Sequence, residues 1–317
     1  MAKKFDLTSN RASVHGIFPP VLTPMNADET VDAASLKNLV QFLVANGVHG
    51  IWAMGTTGEF ASFDERERAL AVEATVEAAA GRVPVIANAA DCSTRLAIRH
   101  AQLAMAAGAD AIAATPPYYY QNSQEELLAH FRRIREKVDL PLFLYNIPQT
   151  VKTKTDVATA LRLAEEGTIV GLKDSQNDLD WFRQVTVGAR ARGLDLRCFL
   201  GTRFLIDAAQ LIGACGSIPS LANLVPAACV KAYEAAQKAD WVEAKKHQER
   251  VMAAEKISSV PKGGCQNAAV MGAMKTVLMK NGIIANDTLG SPLKQPTPAE
   301  VQALVELAVK MDLGKGY

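Results

Sequence analysis

Cysteine is sparse in this chain of 317 residues, and the pattern of its five cysteines argues against two classes of protein. No pair has CxxC spacing, and an odd number of widely separated residues fits neither a disulfide framework nor a structural zinc site. The five histidines also lack the spacing of metal ligands. We therefore expect reduced thiols in the cytoplasm, no metal and no other cofactor.

Long hydrophobic runs and a strong excess of one charge are missing as well. No apolar segment reaches the length that spans a bilayer, and residues 1–10 do not have the pattern of a signal peptide. The formal net charge of +1 offers no electrostatic footprint for nucleic acid. We therefore expect binding to neither membranes nor nucleic acid. Hydrophobic residues make up 49% of the chain, which is enough for a well-filled core.

What the sequence does contain is a regular alternation of short β-type runs with longer amphipathic segments. This rhythm predicts an α/β fold, a (β/α)8 TIM barrel. A doubly wound sheet is the alternative, but its usual strand count is lower and no GxGxxG loop appears. The predicted strands are Gly16–Leu22, Gly50–Met54, Val83–Asn88, Ala111–Thr115, Pro141–Asn146, Ile169–Lys173, Arg197–Leu200 and Gly213–Ile218. The predicted helices lie near residues 32–46, 64–80, 93–107, 123–137, 155–166, 177–190 and 203–212, with an eighth beginning near Ala222.

After about residue 240 the strand signal stops, and residues 240–255, 266–281 and 298–311 have helical patterns. We therefore predict a barrel over residues 14–238, which carries the active site, and a C-terminal helical extension over residues 239–317. No stretch rich in Pro, Gly or Ser separates the two parts. The extension is expected to pack on the barrel.

Lys173 ends the sixth predicted strand, after the apolar run Ile169–Leu172. A buried lysine must lose its charge or find a partner, and with a lowered pKa it becomes an amine nucleophile suited to Schiff-base chemistry. Tyr145, near the end of the neighbouring strand, can exchange a proton beside that amine. Taken alone, a lysine at a strand end commonly reaches solvent, and a tyrosine there is commonly a packing residue.

The loop after the second strand, Gly55-Thr56-Thr57-Gly58-Glu59, has the composition of a receptor for a small carboxylate. The two glycines allow a tight turn with exposed N–H groups, and the threonines add hydroxyl donors. Such a loop is more often a simple turn. Because active sites of these barrels gather at the carboxyl ends of the strands, we expect the loop, the tyrosine and the lysine to meet.

In these motifs the chain resembles the pyruvate-dependent class I aldolases that include dihydrodipicolinate synthase, N-acetylneuraminate lyase and 2-keto-3-deoxygluconate aldolase. The resemblance covers roughly residues 14 to 310, and the motifs occur in the family's order. They are Gly55-Thr56-Thr57-Gly58-Glu59, Pro117-Tyr118-Tyr119, Tyr145-Asn146-Ile147-Pro148, Gly171-Leu172-Lys173-Asp174, and Gly201 with Gly213-Ala214-Cys215-Gly216-Ser217-Ile218.

The resemblance implies that Lys173 forms the Schiff base with pyruvate and that Tyr145 is the general acid and base. It implies that the Thr56 hydroxyl joins a proton relay, which Tyr119 of a neighbouring subunit completes. A homo-oligomer, usually a dimer of dimers, follows from the same resemblance.

The pyruvate carboxylate is expected on the threonine loop. The resemblance assigns it to Thr56 and Thr57, and we group Gly58 with them as a substrate-binding residue. The backbone carbonyl of Ile218 would line the same pocket.

One departure from the synthase pattern bears on the substrate. The synthase carries Ser-Arg after Tyr-Asn-Val-Pro, and that arginine holds the second substrate's carboxylate, whereas here Gln149 and Thr150 follow Pro148. The missing bidentate clamp favours cleavage or condensation of a 2-keto-3-deoxy sugar acid. The alternatives are 4-hydroxy-tetrahydrodipicolinate synthase, an imine-using dehydratase and, more remotely, a non-catalytic keto-acid-binding protein.

Overall fold

The computed structural model describes Phe5, Leu7 and residues 11–314, and within them eight strands form one parallel sheet. Neighbouring strands follow one another in the order β1-β8-β7-β6-β5-β4-β3-β2, as a (β/α)8 barrel requires. The strands are β1 (Gly16–Ile17), β2 (Ile51–Ala53), β3 (Val85–Asn88), β4 (Ala111–Ala114), β5 (Leu142–Asn146), β6 (Gly171–Asp174), β7 (Arg197–Leu200) and β8 (Gly216–Ser217).

The barrel closes between its first two strands through the segment that follows β1. Pro20 forms a parallel bridge with Trp52, whose N–H donates to the carbonyl of Pro19 and whose carbonyl accepts from Val21, both at 3.0 Å. The predicted strand Gly16–Leu22 was therefore too long as a regular strand. Proline has no N–H to donate, so Pro19 and Pro20 interrupt the ladder without opening the barrel.

The helices follow the predicted alternation for most of the chain. Several begin where a side chain caps the first turn: Asp64 accepts from the N–H of Glu67 at 2.9 Å, and Ser123 forms a capping box with Glu126. The barrel helices are α1 (Ala33–Ala45), α2 (Glu65–Ala79), α3 (Thr94–Ala106), α4 (Gln124–Lys137), α5 (Pro148–Val151), α6 (Val157–Glu165), α7 (Leu179–Ala191) and α8 (Pro226–Gln237).

The predicted helix over 203–212 is wrong. This segment is a loop that ends in the 3-10 turn Ala209–Ile212, because a side chain from a later helix takes its backbone groups. Gln248 accepts from the N–H of Ile206 at 2.8 Å and donates to the carbonyl of Arg203 at 2.9 Å. These groups would otherwise form the first helical turn.

Two other boundaries also move. The eighth helix begins at Pro226 rather than near Ala222, because residues Ser220–Asn223 form a separate 3-10 turn. The last strand is the short pair Gly216–Ser217 rather than Gly213–Ile218.

The C-terminal part is helical, as predicted. Its helices are α9 (Trp241–Ala254), α10 (Gln266–Lys280) and α11 (Pro298–Met311), with a 3-10 turn over Glu255–Ser259. The division at residues 238 and 239 stays a prediction. Within the described residues, no helix combines the length and the apolar character needed to cross a membrane.

The inside of the barrel is filled with aromatic side chains. The rings of Phe18 and Phe199 meet edge to face with centroids 5.1 Å apart, and Trp52 packs in the same way on Phe143 and on Tyr145. These rings form a packed floor below the carboxyl ends of the strands. Polar groups that project above this floor are held in fixed positions.

Candidate active site

A cavity of about 240 Å³ opens at the carboxyl ends of the strands. It brings together five of the residues that the sequence singled out: Lys173, Tyr145, Thr56, Thr57 and Ile218. They come from four different strand ends, so the barrel and not local sequence places them side by side. Its described lining also includes Pro20, Ile147, Gln149, Ser175, Asn177, Gly201, Thr202, Arg203, Phe204, Ser220, Gln266, Asn267, Val270 and Met271.

Lys173 is buried, with 3% of its surface exposed. In the β5–β6–β7 register it pairs with Tyr145 on one side and Phe199 on the other. Its Nζ lies 4.1 Å from the centroid of the Tyr145 ring and 4.9 Å from that of Trp52. Burial lowers the pKa of Lys173, and the nearby Tyr145 opposes that shift only in part. The arrangement favours the neutral amine, the nucleophilic form.

Tyr145 connects the lysine to the threonine loop. Its hydroxyl lies 3.1 Å from the hydroxyl of Thr56, and either oxygen can be the donor. A proton can therefore pass between these two hydroxyls beside the amine. This is the geometry that general acid and base catalysis needs, with the partner within hydrogen-bond reach.

The threonine loop is a tight turn with two N–H groups left over. Gly58 donates its N–H to the carbonyl of Gly55 at 3.0 Å, and Glu59 donates to that of Thr56 at 3.1 Å. The N–H groups of Thr56 and Thr57 have no acceptor within the described part of the chain. Two free N–H groups and two hydroxyls suit a carboxylate.

Gly58 shapes this loop and is not among the described residues that line the cavity. Its carbonyl accepts from the hydroxyl of Thr23 at 2.7 Å, and a Cβ on Gly58 would stand only 2.9 Å from the carbonyl of Val21. Its N–H is already engaged within the turn. Its predicted part in substrate binding remains a prediction.

Tyr119 lies outside the cavity of its own chain. Its side chain is 81% exposed, packs edge to face on Tyr120, and rests on backbone with φ of 85°. Positive φ is uncommon for a tyrosine. The expected role of Tyr119 in the site of a second subunit stays a prediction.

Behind the loop is a buried ion pair that the motif alone did not reveal. Nζ of Lys275, on α10, lies 2.5 Å from Oε1 of Glu59 and 2.7 Å from the carbonyl of Thr288. The N–H of Gly290 donates to the other oxygen of Glu59 at 2.9 Å. Both charged side chains are fully buried. A lysine inside the apolar run of α10 was the only sequence signal that this charge needs a partner.

Asp174, next to Lys173, is a buried carboxyl on the opposite face of β6. Asn146 donates to its Oδ1 at 2.7 Å, yet burial raises the pKa of Asp174 to about 7 because desolvation outweighs that hydrogen bond. The carboxyl of Asp174 is thus partly protonated near neutral pH. Partial protonation reduces the negative charge that Asp174 places behind the lysine.

The far wall of the cavity was not foreseen from the sequence. Gln266 and Asn267 line it from the first turn of α10, and Arg203 and Phe204 from the loop that replaces the predicted helix. No local motif marks these residues, because their meeting depends on how the C-terminal helices pack. The extension is therefore part of the site.

Comparisons with known proteins give matches over nearly the whole chain. The model of the "Dihydrodipicolinate synthetase family" matches residues 13–311. A DapA-like lyase of Halobacterium salinarum is 33% identical over 281 residues, covering 89% of this chain and 88% of the relative. A 4-hydroxy-tetrahydrodipicolinate synthase of Thioalkalivibrio sulfidiphilus is 39% identical over 232 residues, covering 71% and 76%. The solved dihydrodipicolinate synthase of Bacteroides thetaiotaomicron superposes with a TM-score of 0.87 at 32% identity, over 94% of this chain and 98% of that one.

Proposed function

The chain belongs to the dihydrodipicolinate synthetase family, and from that premise we propose that it is a Schiff-base-forming, pyruvate-dependent class I lyase. The substrate that we propose is a 2-keto-3-deoxy sugar acid, cleaved to pyruvate and an aldehyde or formed from them. One observation carries the proposal. The buried amine of Lys173 lies 4.1 Å from the centroid of the Tyr145 ring, and the hydroxyl of Tyr145 is hydrogen-bonded to that of Thr56.

The mechanism follows from these positions. The substrate carboxylate binds the free N–H groups of Thr56 and Thr57, which presents the keto carbon to Lys173. The neutral amine adds to that carbon, and the carbinolamine loses water to give an iminium while Tyr145 supplies the proton that the departing oxygen needs.

The iminium then accepts the electron pair of the carbon–carbon bond that breaks. When the bond between C3 and C4 breaks, its electron pair moves toward the iminium nitrogen and leaves an enamine, while the C4 hydroxyl loses its proton to Tyr145 and becomes the aldehyde. Protonation of the enamine at C3 and hydrolysis release pyruvate and restore Lys173. Run in reverse, the same steps condense pyruvate with an aldehyde.

Borohydride trapping tests the mechanism directly. Reduction in the presence of pyruvate should fix a pyruvate-derived adduct on Lys173, located by peptide mass spectrometry, and Lys173→Ala should abolish both the adduct and turnover. Lys154→Ala is a matched control, because this lysine is paired with Asp178 at the surface at 3.1 Å. An adduct on another lysine, or one that survives Lys173→Ala, would refute the assignment.

Synthase activity is the second candidate, since relatives named 4-hydroxy-tetrahydrodipicolinate synthase share 39% identity with this chain. Against it, Gln149 and Thr150 stand where the synthase carries Ser-Arg, so Thr150 replaces the arginine and brings no positive charge. The amide of Gln149, which lines the cavity, donates to the carbonyl of Ser175 at 2.6 Å. Coupled assays with aspartate semialdehyde and with keto-deoxy sugar acids separate the two candidates. Dominant turnover of the semialdehyde would move the protein to the synthase branch.

Elimination of water from the same iminium is the third candidate, and product analysis separates it from carbon–carbon cleavage.

We further propose that the enzyme works in the cytoplasm, where its free cysteines stay reduced, and as a dimer of dimers. The exposed Tyr119 supports the oligomer because it has no role in its own subunit's cavity. Sedimentation velocity of the wild type tests the oligomer, and the activity of Tyr119→Phe relative to wild type tests whether this hydroxyl serves the site of a neighbouring subunit.

A further inference from the structure

An arginine lines the active-site cavity, and its guanidinium is already paired. Among the described lining residues, Arg203 and Lys173 are the cationic side chains. Arg203 donates through Nε and Nη2 to the two carboxylate oxygens of Glu255, a bidentate arrangement. The two side chains are only 16% and 19% exposed. Glu255 is not part of the described lining, so it neutralises Arg203 from behind.

Several contacts keep this ion pair in place. Ser258 donates its hydroxyl to Oε1 of Glu255 at 2.8 Å, and Gln248 donates to the carbonyl of Arg203 at 2.9 Å. The guanidinium also lies over the ring of Phe204, 4.5 Å from its centroid. Arg203 is therefore anchored by α9, by the turn after it and by its neighbour, and it is not free to turn toward a ligand.

We propose that Glu255 is a specificity-determining residue, which cancels the charge of Arg203 so that the cavity selects substrates with an uncharged, hydroxylated far end. The inference deepens the proposed function and rests on it. A substrate with a second carboxylate would have to displace Glu255 from Arg203, and the displaced carboxylate would be left partly buried with the hydroxyl of Ser258 but without its cation. A hydroxyl tail displaces nothing.

The remaining polar groups of the lining agree with this selection. They are neutral side chains that donate and accept hydrogen bonds, as polyols require. A polyhydroxy chain therefore finds partners along the wall. The second carboxylate of a dianion, in contrast, meets no unpaired cationic side chain among the described lining residues apart from Lys173. These groups are Gln149, Ser175, Asn177, Thr202, Ser220, Gln266 and Asn267.

Trapping of longer keto acids on Lys173 tests the selection without requiring turnover. The probes are 2-oxoglutarate and 2-oxoadipate, which carry a second carboxylate, and 2-oxopentanoate and 2-oxohexanoate, which match them in length without it. Borohydride reduction at increasing keto-acid concentration gives a half-saturating value for each probe. The ratio of acid-tailed to neutral-tailed values measures discrimination against the second charge.

Removing the charge of Glu255 and removing that of Arg203 should change this ratio in opposite directions. Glu255→Gln frees the guanidinium and should lower the ratio about tenfold, as one charge-assisted hydrogen bond allows. Arg203→Met leaves Glu255 unpaired near the cavity and should raise it. The double variant removes both charges and should lie close to wild type. Loss of fold cannot produce these opposite changes, because the acid-tailed and the neutral-tailed probe of each pair are measured on the same protein sample.

A matched control is the ion pair of Arg132 with Glu166 on the outside of the barrel, also bidentate at 2.8 and 2.6 Å. Glu166→Gln should leave the ratio unchanged. If adducts form on Lys173 and Glu255→Gln does not move the ratio, the selection is refuted while the lyase mechanism stands. If no keto acid, pyruvate included, is trapped on Lys173, the proposed function fails and this inference fails with it.

Discussion

The ion pair between Glu59 and Lys275 is the contact whose removal should be felt most in both stability and activity. Lys275→Met takes away the ammonium and leaves the Glu59 carboxylate with the N–H of Gly290 as its remaining partner. Both side chains are inaccessible to solvent, with exposures of 0% and 1%. Water cannot replace the lost partner, and removal of one member of such a pair costs about 3–5 kcal/mol.

The double variant Glu59→Gln/Lys275→Met shows whether this cost is electrostatic. It removes both charges and keeps side chains of similar length, so its cost should fall below the sum of the single costs by about 1–3 kcal/mol. Each variant is unfolded with urea at constant pH and protein concentration, and tryptophan fluorescence gives the free energy of unfolding. Because Glu59 is the last residue of the threonine loop, the single variants should also raise the pyruvate concentration that half-saturates trapping.

A surface ion pair provides the scale. Lys37 and Glu77 are 2.6 Å apart with exposures of 37% and 66%, so Glu77→Gln should cost no more than about 1 kcal/mol. If Lys275→Met costs as little as Glu77→Gln, or if the double variant costs the full sum, the pair does not lock the loop and the reasoning is wrong.

Two further predictions concern the groups around the amine. Tyr145→Phe should lower kcat about 10²- to 10³-fold because it removes the acid and base, and it should move the pH midpoint of imine trapping further down, since Tyr145 opposes the lowering of the pKa of Lys173. An unchanged or raised midpoint, from trapping rates measured against pH, would contradict this. The second prediction is that Asp174→Asn flattens the pH dependence of stability. The pKa of Asp174 is raised by burial from 3.8 to about 7, so its stabilising contribution is complete below about pH 4 and is lost as pH rises through 7. The free energy of unfolding of the wild type should fall by up to about 4 kcal/mol over that range because of this group. Urea unfolding at several pH values measures it, and identical pH dependence in wild type and Asp174→Asn would contradict the prediction.

The barrel was predictable because each of its strands is buried on both faces. Runs such as Ala111–Ala114 and Leu142–Asn146 must be apolar nearly throughout, and that pattern differs from the periodicity of the helices between them. The meeting of Lys173 and Tyr145 in the cavity was predictable for a related reason. Lys173 and Tyr145 are polar exceptions at the ends of such runs, where barrels place their chemistry.

The parts that were missed depend on contacts between distant residues. Leu205, Ala209 and Ile212 recur at the i, i+4, i+7 spacing of an amphipathic helix, but the side chain of Gln248 binds the backbone there and keeps it a loop. Local periodicity contains no information about a side chain that arrives 42 residues later. Arg203 was overlooked for the same reason, since a helix would have placed it elsewhere.

The ion pair between Glu59 and α10 also determines when the cavity can be completed during translation. Glu59 is joined to a lysine 216 residues further along the chain and to an N–H 231 residues away. On the ribosome, the threonine loop, Tyr145 and Lys173 all emerge well before the residues that lock the loop and form the far wall. A nascent chain therefore has the proposed nucleophile long before the proposed keto-acid site is finished, and catalytic competence should appear only when the last helices have left the exit tunnel.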